Sequence, residues 1–263
     1  MMTATNTRKE ARESLTGKWG KAALIFLAYG VITFVLEFIL RYAENNDASL
    51  LHLIILIVQL IVTVPMAYGM VICFMKLKRG EEVGVFDFLT LGFSNFKKSW
   101  DIAWNEFLVM VVPALIIFAV LVFLSFYSLT SSGLMKTLSP VTRSSETGSS
   151  AIVIIAFIVI IACSVWSVVK RYSIALSRFI AYDKPEISGK EAVEESQVMM
   201  RGNKGNLFVL ELSFIGWAIL ATLTFGIGAL WLYPYIQISQ ICFYEEVKMV
   251  YNIPSKIRKR GDL

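Results

Sequence analysis

The sequence predicts an all-α polytopic membrane protein with six transmembrane helices and additional amphipathic helices on the cytoplasmic side. Three observations carry this. Hydrophobic residues make up 56% of the 263 positions and charged residues only 17%, against roughly 45–50% and about 25% in an average soluble domain. The apolar residues fall in long uncharged runs, as bilayer spans do, rather than in short periodic stripes. Lysine and arginine cluster in alternate connections between those runs.

A helix needs roughly 17–25 apolar residues to cross the hydrocarbon core. Six runs meet that length, at about 22–40, 50–75, 107–127, 151–169, 207–225 and 226–243. The first follows a basic stretch and ends at Leu40-Arg41-Tyr42 without a small-residue cleavage site, so it reads as an uncleaved span. The second is overlong and should tilt. The last two are separated only by the stretch from Thr224 to Gly228. Little length is left for a soluble domain, and residues 1–263 read as a single membrane domain.

Orientation follows from the basic residues. The amino-terminal segment, the loops at 76–106 and 170–206, and the tail hold 22 of the 25 lysines and arginines; Arg41, Lys136 and Arg143 are the other 3. Both termini and the two long loops are therefore expected in the cytoplasm. The segment around 128–150, rich in serine and threonine with Gly133 and Pro140, should be an exposed outer connector.

The cytoplasmic loops show amphipathic patterning. Phe86, Leu89, Phe93, Phe96 and Trp100 recur at helical spacing beside Lys97 and Lys98. This predicts a helix over 86–104 at the membrane interface or packed on the end of the bundle. Ser188 and Glu191 have the spacing of a capping box after Pro185. The amino-terminal segment shows a weaker apolar side at Ala11, Leu15 and Trp19.

Polar groups inside apolar runs are the candidates for chemistry. Glu37 stands four residues before Arg41, a spacing that permits a helical ion pair. Glu211 lies early in the fifth run, within reach of Lys204 or Arg201. In the sixth run Tyr233, Gln237, Gln240 and Tyr244 share one helix face beside Pro234, and Gln59 in the second run is a candidate partner for them. Such a face serves either as interhelical adhesion or as a polar path. Cys73, Cys163 and Cys242 each lie in an apolar run and read as small hydrophobes; His52 has no metal-site spacing. No phosphate loop, nucleophile elbow or paired-histidine motif occurs, so neither cofactor nor metal is expected. Positive-inside topology accounts for the basic surface without nucleic acid, and the same charges attract anionic lipid headgroups.

One stretch carries a family resemblance. Glu191-Ala192, Ser196, Met199 and Arg201-Gly202 lead through Lys204 to Phe208, Leu212-Ser213-Phe214-Ile215-Gly216-Trp217, Gly226-Ile227-Gly228, Tyr233-Pro234-Tyr235 and Phe243-Tyr244. Together with Arg8, Ala11-Arg12, Leu15, Gly17 and Trp19-Gly20, this resembles the bacterial membrane family catalogued as domain of unknown function 975. It is also distantly similar to the membrane domain attached to some glycerophosphodiester phosphodiesterases. The resemblance implies a protein of the bacterial plasma membrane and supplies no catalytic residues. The expectation is a non-enzymatic accessory or regulatory membrane protein, associating with anionic lipid and with a membrane-protein partner or a second copy. A small-solute or ion transporter is the alternative, and a lipid-related membrane enzyme the third reading.

Overall fold

The computed structural model describes residues 3–45, 49–131 and 146–252, without the side chains of 43–49, 52 and 128–152. The outer connector around Gly133 and Pro140, the side chain of His52 and the tail cations from Lys256 to Arg260 lie outside the described residues. Helices run in the order α1 (Ala4–Ser14), α2 (Trp19–Asn45), α3 (Ser49–Lys78), α4 (Asp87–Ser94), α5 (Phe96–Ser131), α6 (Glu146–Ser173), α7 (Ser177–Asp183), α8 (Gly189–Met199), α9 (Lys204–Leu212), α10 (Ile215–Leu223) and α11 (Ala229–Asn252). No strand occurs among the described residues.

Five helical stretches among the described residues are long and apolar enough to cross a membrane: Trp19–Tyr42, Leu53–Lys78, Phe96–Tyr127, Val153–Asp183 and Lys204–Leu223. The sixth expected run, 226–243, forms α11 but is not among them. Gln237, Gln240, Glu245, Glu246 and Lys248 lower the apolar content of this helix. The fifth run is not one helix. It breaks at Ser213-Phe214, where the Ser213 hydroxyl donates to the Leu210 carbonyl at 2.6 Å.

The chain forms two compact units, one of residues 1–105 and 173–263, the other of 106–172. In the first unit, α2 and α3 each change character along their length. Ala22 and Ile25 of α2 are buried, whereas Val31, Phe34, Val35 and Phe38 are exposed. In α3, nine residues between Leu50 and Ile61 stand exposed, and nearly everything from Met66 to Leu77 is buried. An apolar surface this extensive marks contact with another apolar phase, as the spans of a membrane protein require. The buried halves pack instead on each other and on α4, α7 and α11. The second unit, the rest of α5 with α6, presents Phe107, Leu115, Phe118 and Phe126 and then Ile154, Phe157, Ile158 and Val165 to its surroundings. Helices apolar on nearly every side belong in a membrane.

The tightest packing joins α3 to α4. A Cβ on Gly69 would stand 2.0 Å from the Phe88 carbonyl oxygen, and one on Gly92 would stand 2.3 Å from that of Pro65. Phe88 and Gly92 thus form the inward face of α4. The predicted helix over 86–104 is interrupted: Phe86 is the residue before α4, and Asn95 separates α4 from α5. Polar side chains at this break bond back to local carbonyls, with Asn95 donating to Leu91 at 2.9 Å and Ser94 at 3.1 Å. Such local bonds compete with continued helix.

The capping box on α8 forms as expected. Ser188 Oγ accepts from the Glu191 N–H at 3.2 Å, and Glu191 Oε2 accepts from the Ser188 N–H at 2.8 Å. Ser188→Ala should destabilise the protein by about 0.5–2 kcal/mol, read as a lower melting temperature in detergent. The Ser188 backbone and hydroxyl hold the Glu191 carboxyl below its usual pKa. Its contribution is therefore complete above the ordinary glutamate pKa and fades as pH falls through the lowered value.

Candidate functional site

The polar residues of the first unit gather where the buried half of α3 ends. Asp183, the last residue of α7, has a side chain only 5% exposed and is contacted by three donors, one just past the end of α3 and two on α11. Arg79 Nη2 approaches it at 2.7 Å and the Tyr244 hydroxyl donates to it at 2.9 Å, while Lys248 supplies the third contact. Lys78 pairs with Glu245 of α11 and, at 3.3 Å, with Glu10 of α1. Arg79 Nε also lies 3.6 Å from Glu245. Four helices are thereby tied together: α1, the end of α3, α7 and α11. Burial works against the charged Arg79 guanidinium, but its hydrogen bond and attraction to Asp183 more than offset this and raise its pKa. Burial, then the Asp183 charge, pushes the Tyr244 phenol above its usual range, so it stays protonated and donates. Tyr244 also stacks on Phe179 of α7, with ring centroids 5.4 Å apart. Every carboxylate of the cluster faces a cation, so these charges fasten the helices to one another.

A second set of bonds fixes the α7–α8 segment. Ser196, fully buried, donates to the Ser173 carbonyl at 3.0 Å and accepts from the Leu176 N–H at 3.1 Å. It satisfies backbone groups exposed where α6 gives way to α7. Lys184 binds both carboxylate oxygens of Glu195, at 2.6 and 2.9 Å. Lys98 donates to the carbonyls of Pro185 and Ile187, and Asp101 accepts from the Gly189 N–H. The first turns of α5 thus hold the entry to α8.

Tyr233, Gln237, Gln240 and Tyr244 all lie on α11 but have different surroundings. Tyr233 stacks on Phe26 of α2 at 4.2 Å and lies 6.3 Å from Phe74. Gln237 is half-buried. Gln240 donates to Glu211 of α9 at 3.0 Å, and Tyr244 belongs to the Asp183 cluster. Gln59 does not meet this face. It donates to Glu37 of α2 at 3.2 Å, and Glu37 also forms the expected ion pair with Arg41 at 3.5 Å. The expected partnership between Gln59 and α11 is therefore replaced by two independent bonds, each between neighbouring members of a helical hairpin.

The aromatic stripe divides likewise. Phe86, Phe93 and Phe96 are exposed, Leu89 and Trp100 half-buried. Phe93, Phe96 and Trp100 form a ladder of rings spaced 6.4 Å apart at each step. The inward side is made of Phe88, Gly92, Ser99 and Ile102, which are buried. Lys97, beside the ladder, is exposed.

Two cavities complete the unit. One of about 230 Å³ is lined by Tyr29, Thr63, Tyr68, Ser99 and Arg178 among others. A larger one, about 530 Å³, lies between α1, the start of α2, α10 and α11, and its walls include Trp19, Trp217 and Trp231. Sequence reasoning missed both, along with Asp183, Glu245 and Glu10. The spacing of Tyr244 and Lys248 put those two on one face, but nothing local announces their common partner 61 residues upstream of Tyr244.

Long apolar helices and a polar end-cluster define a polytopic α-helical membrane protein. The chain belongs to the family described as "Protein of unknown function (DUF975)", whose model it matches over residues 1–250. The match brings with it no phosphodiesterase relative. No curated protein and no solved structure matches the chain.

Proposed function

We propose that this is a non-enzymatic protein of the bacterial plasma membrane, accessory or regulatory in role, that works through its basic end by holding anionic lipid and a membrane-protein partner. The observation that supports the reading most is how the polar side chains are used. Gln59, Gln240, Tyr244 and their carboxylate partners are committed to interhelical bonds, which suits adhesion better than an aqueous path. Phe86, Phe93 and Phe96, by contrast, are exposed beside Lys97. Aromatic rings with adjacent cations favour the headgroup region of an anionic leaflet.

The distribution of basic residues supports cytoplasmic termini, and two cytoplasmic termini require an even number of crossings. The stretch α9–α10 and α11 are joined by a tight turn at Phe225-Gly226, both with positive φ, and bonded by Gln240 and Glu211. They cross together or not at all, and either case returns the tail to the side of Lys97 and Lys190.

The lipid contact is testable with Trp100 as the sole tryptophan, the others replaced by phenylalanine. Phospholipids brominated near the headgroup should quench its fluorescence, more strongly in bilayers containing phosphatidylglycerol. Replacing Phe93 and Phe96 by serine should reduce the quenching. Full quenching of Trp100 by aqueous iodide in the reconstituted protein would contradict the reading.

A further inference from the structure

The larger cavity has a lining unlike the rest of the unit. Trp19, Trp217, Leu220, Ala221, Trp231 and Leu232 give it apolar walls, and Tyr235, whose ring lies 5.9 Å from that of Trp19, closes one side. Tyr235 is itself fixed: its hydroxyl donates to the Arg8 carbonyl at 3.1 Å and its ring meets Phe214 edge-on at 5.1 Å. Arg8 lies over Phe214 at 5.4 Å, so α1 is clamped onto α9 and α11 as one wall of the cavity. The single charged residue in the lining is Arg12, exposed on α1. Lys78, Arg79, Lys184 and Lys248 are all paired with carboxylates. Among the described residues Arg12 has no such partner. The apolar walls continue onto the exposed side chains of Leu223, Phe225 and Ile227 at the α10–α11 turn, Phe225 being completely exposed.

We propose that this cavity holds an acyl chain of an anionic phospholipid, with the Arg12 guanidinium on the lipid phosphate; the inference rests on the anionic-lipid reading above and gives it a site. Its volume falls within the roughly 300–1,000 Å³ typical of small-ligand sites, which are mainly apolar with a few placed polar groups. Tryptophan combines an apolar body with an N–H and suits the boundary between chain and headgroup. A guanidinium binds phosphate oxygens two at a time. A lipid reaches the site along the exposed apolar turn without leaving the bilayer, which a water-soluble ligand could not do.

The test uses the full chain, purified in neutral detergent, titrated with dioleoyl phosphatidylglycerol or dioleoyl phosphatidylcholine, with bound lipid counted by native mass spectrometry. One phosphatidylglycerol per chain should be retained in preference to phosphatidylcholine. Arg12→Gln should weaken phosphatidylglycerol about tenfold or more, as expected for loss of a charged hydrogen bond, and abolish the preference. Leu220→Trp, which fills the cavity without changing charge, should weaken both lipids. Arg12 and Leu220 are exposed, and unchanged circular dichroism and melting temperature would verify folding. If the wild-type chain retains phosphatidylglycerol and neither variant alters it, the cavity is not the site although anionic-lipid binding stands. If the wild-type chain shows no preference for phosphatidylglycerol at all, both the site and the broader reading fail.

Discussion

Gly69→Ala should lower the stability of the purified protein by about 1–3 kcal/mol or more, a large effect for one methyl group. The added Cβ would stand 2.0 Å from the Phe88 carbonyl oxygen and under 3 Å from the Gly92 backbone. Backbone cannot swing aside as a long side chain does, so α4 must move off α3. The contact is also one in which small residues let helix backbones approach closely, a main source of attraction between helices in lipid. Gly20→Ala is the matched control, because a Cβ there meets nothing within 4 Å. Thermal melting in detergent measures the difference. Equal melting temperatures for the two variants would show that α3 and α4 do not pack this closely. If α4 moves, Trp100 should also become more accessible to water, because its ladder begins at Phe93 of α4.

Asp183→Ala should cost about 2–3 kcal/mol. Breaking a buried pair typically costs about 3–5 kcal/mol because the surviving charge is stranded. Here Arg79 and Lys248 are 32% and 35% exposed and can recover part of their hydration, so the lower range applies. The variant also leaves the Tyr244 hydroxyl without its acceptor. Asp183→Asn, which keeps an oxygen for Tyr244, should lose less. Raising ionic strength should narrow the gap between wild type and Asp183→Ala, since partly exposed charges are screened. Urea or thermal unfolding at low and high salt would record both effects. A salt-independent loss would mean that Asp183 acts through packing instead of charge.

Helices α2, α3, α5 and α6 were legible in the sequence because a lipid-facing span is a local property, written as an uninterrupted apolar run. The α8 cap was legible for the same reason: Ser188 and Glu191 satisfy each other within one turn. The breaks at Asn95 and at Ser213-Phe214 were not, because hydropathy reports burial and is silent about backbone path. The polar sites were legible only in part. The Glu37–Arg41 pair is one helical turn and could be read directly. Gln59 and Gln240 were identifiable as groups needing partners, but which partner each takes depends on helix adjacency: Gln59 found a carboxylate on α2 and Gln240 one on α9. The Asp183 cluster draws on residues 79, 183, 244 and 248. In the sequence its cations were indistinguishable from those that merely set orientation.

The proposed function requires the basic segments to share one side of the membrane, the cytoplasmic side. Single cysteines at four exposed positions test it directly, in a chain whose Cys73, Cys163 and Cys242 have been replaced by alanine. Lys97→Cys, Lys190→Cys and Tyr251→Cys lie on the basic segments, and Tyr42→Cys lies at the far end of α2. Intact cells and inverted membrane vesicles are treated with a membrane-impermeant maleimide. Positions 97, 190 and 251 should react only in inverted vesicles and position 42 only in intact cells. Reaction of position 251 in intact cells, together with position 42, would contradict it.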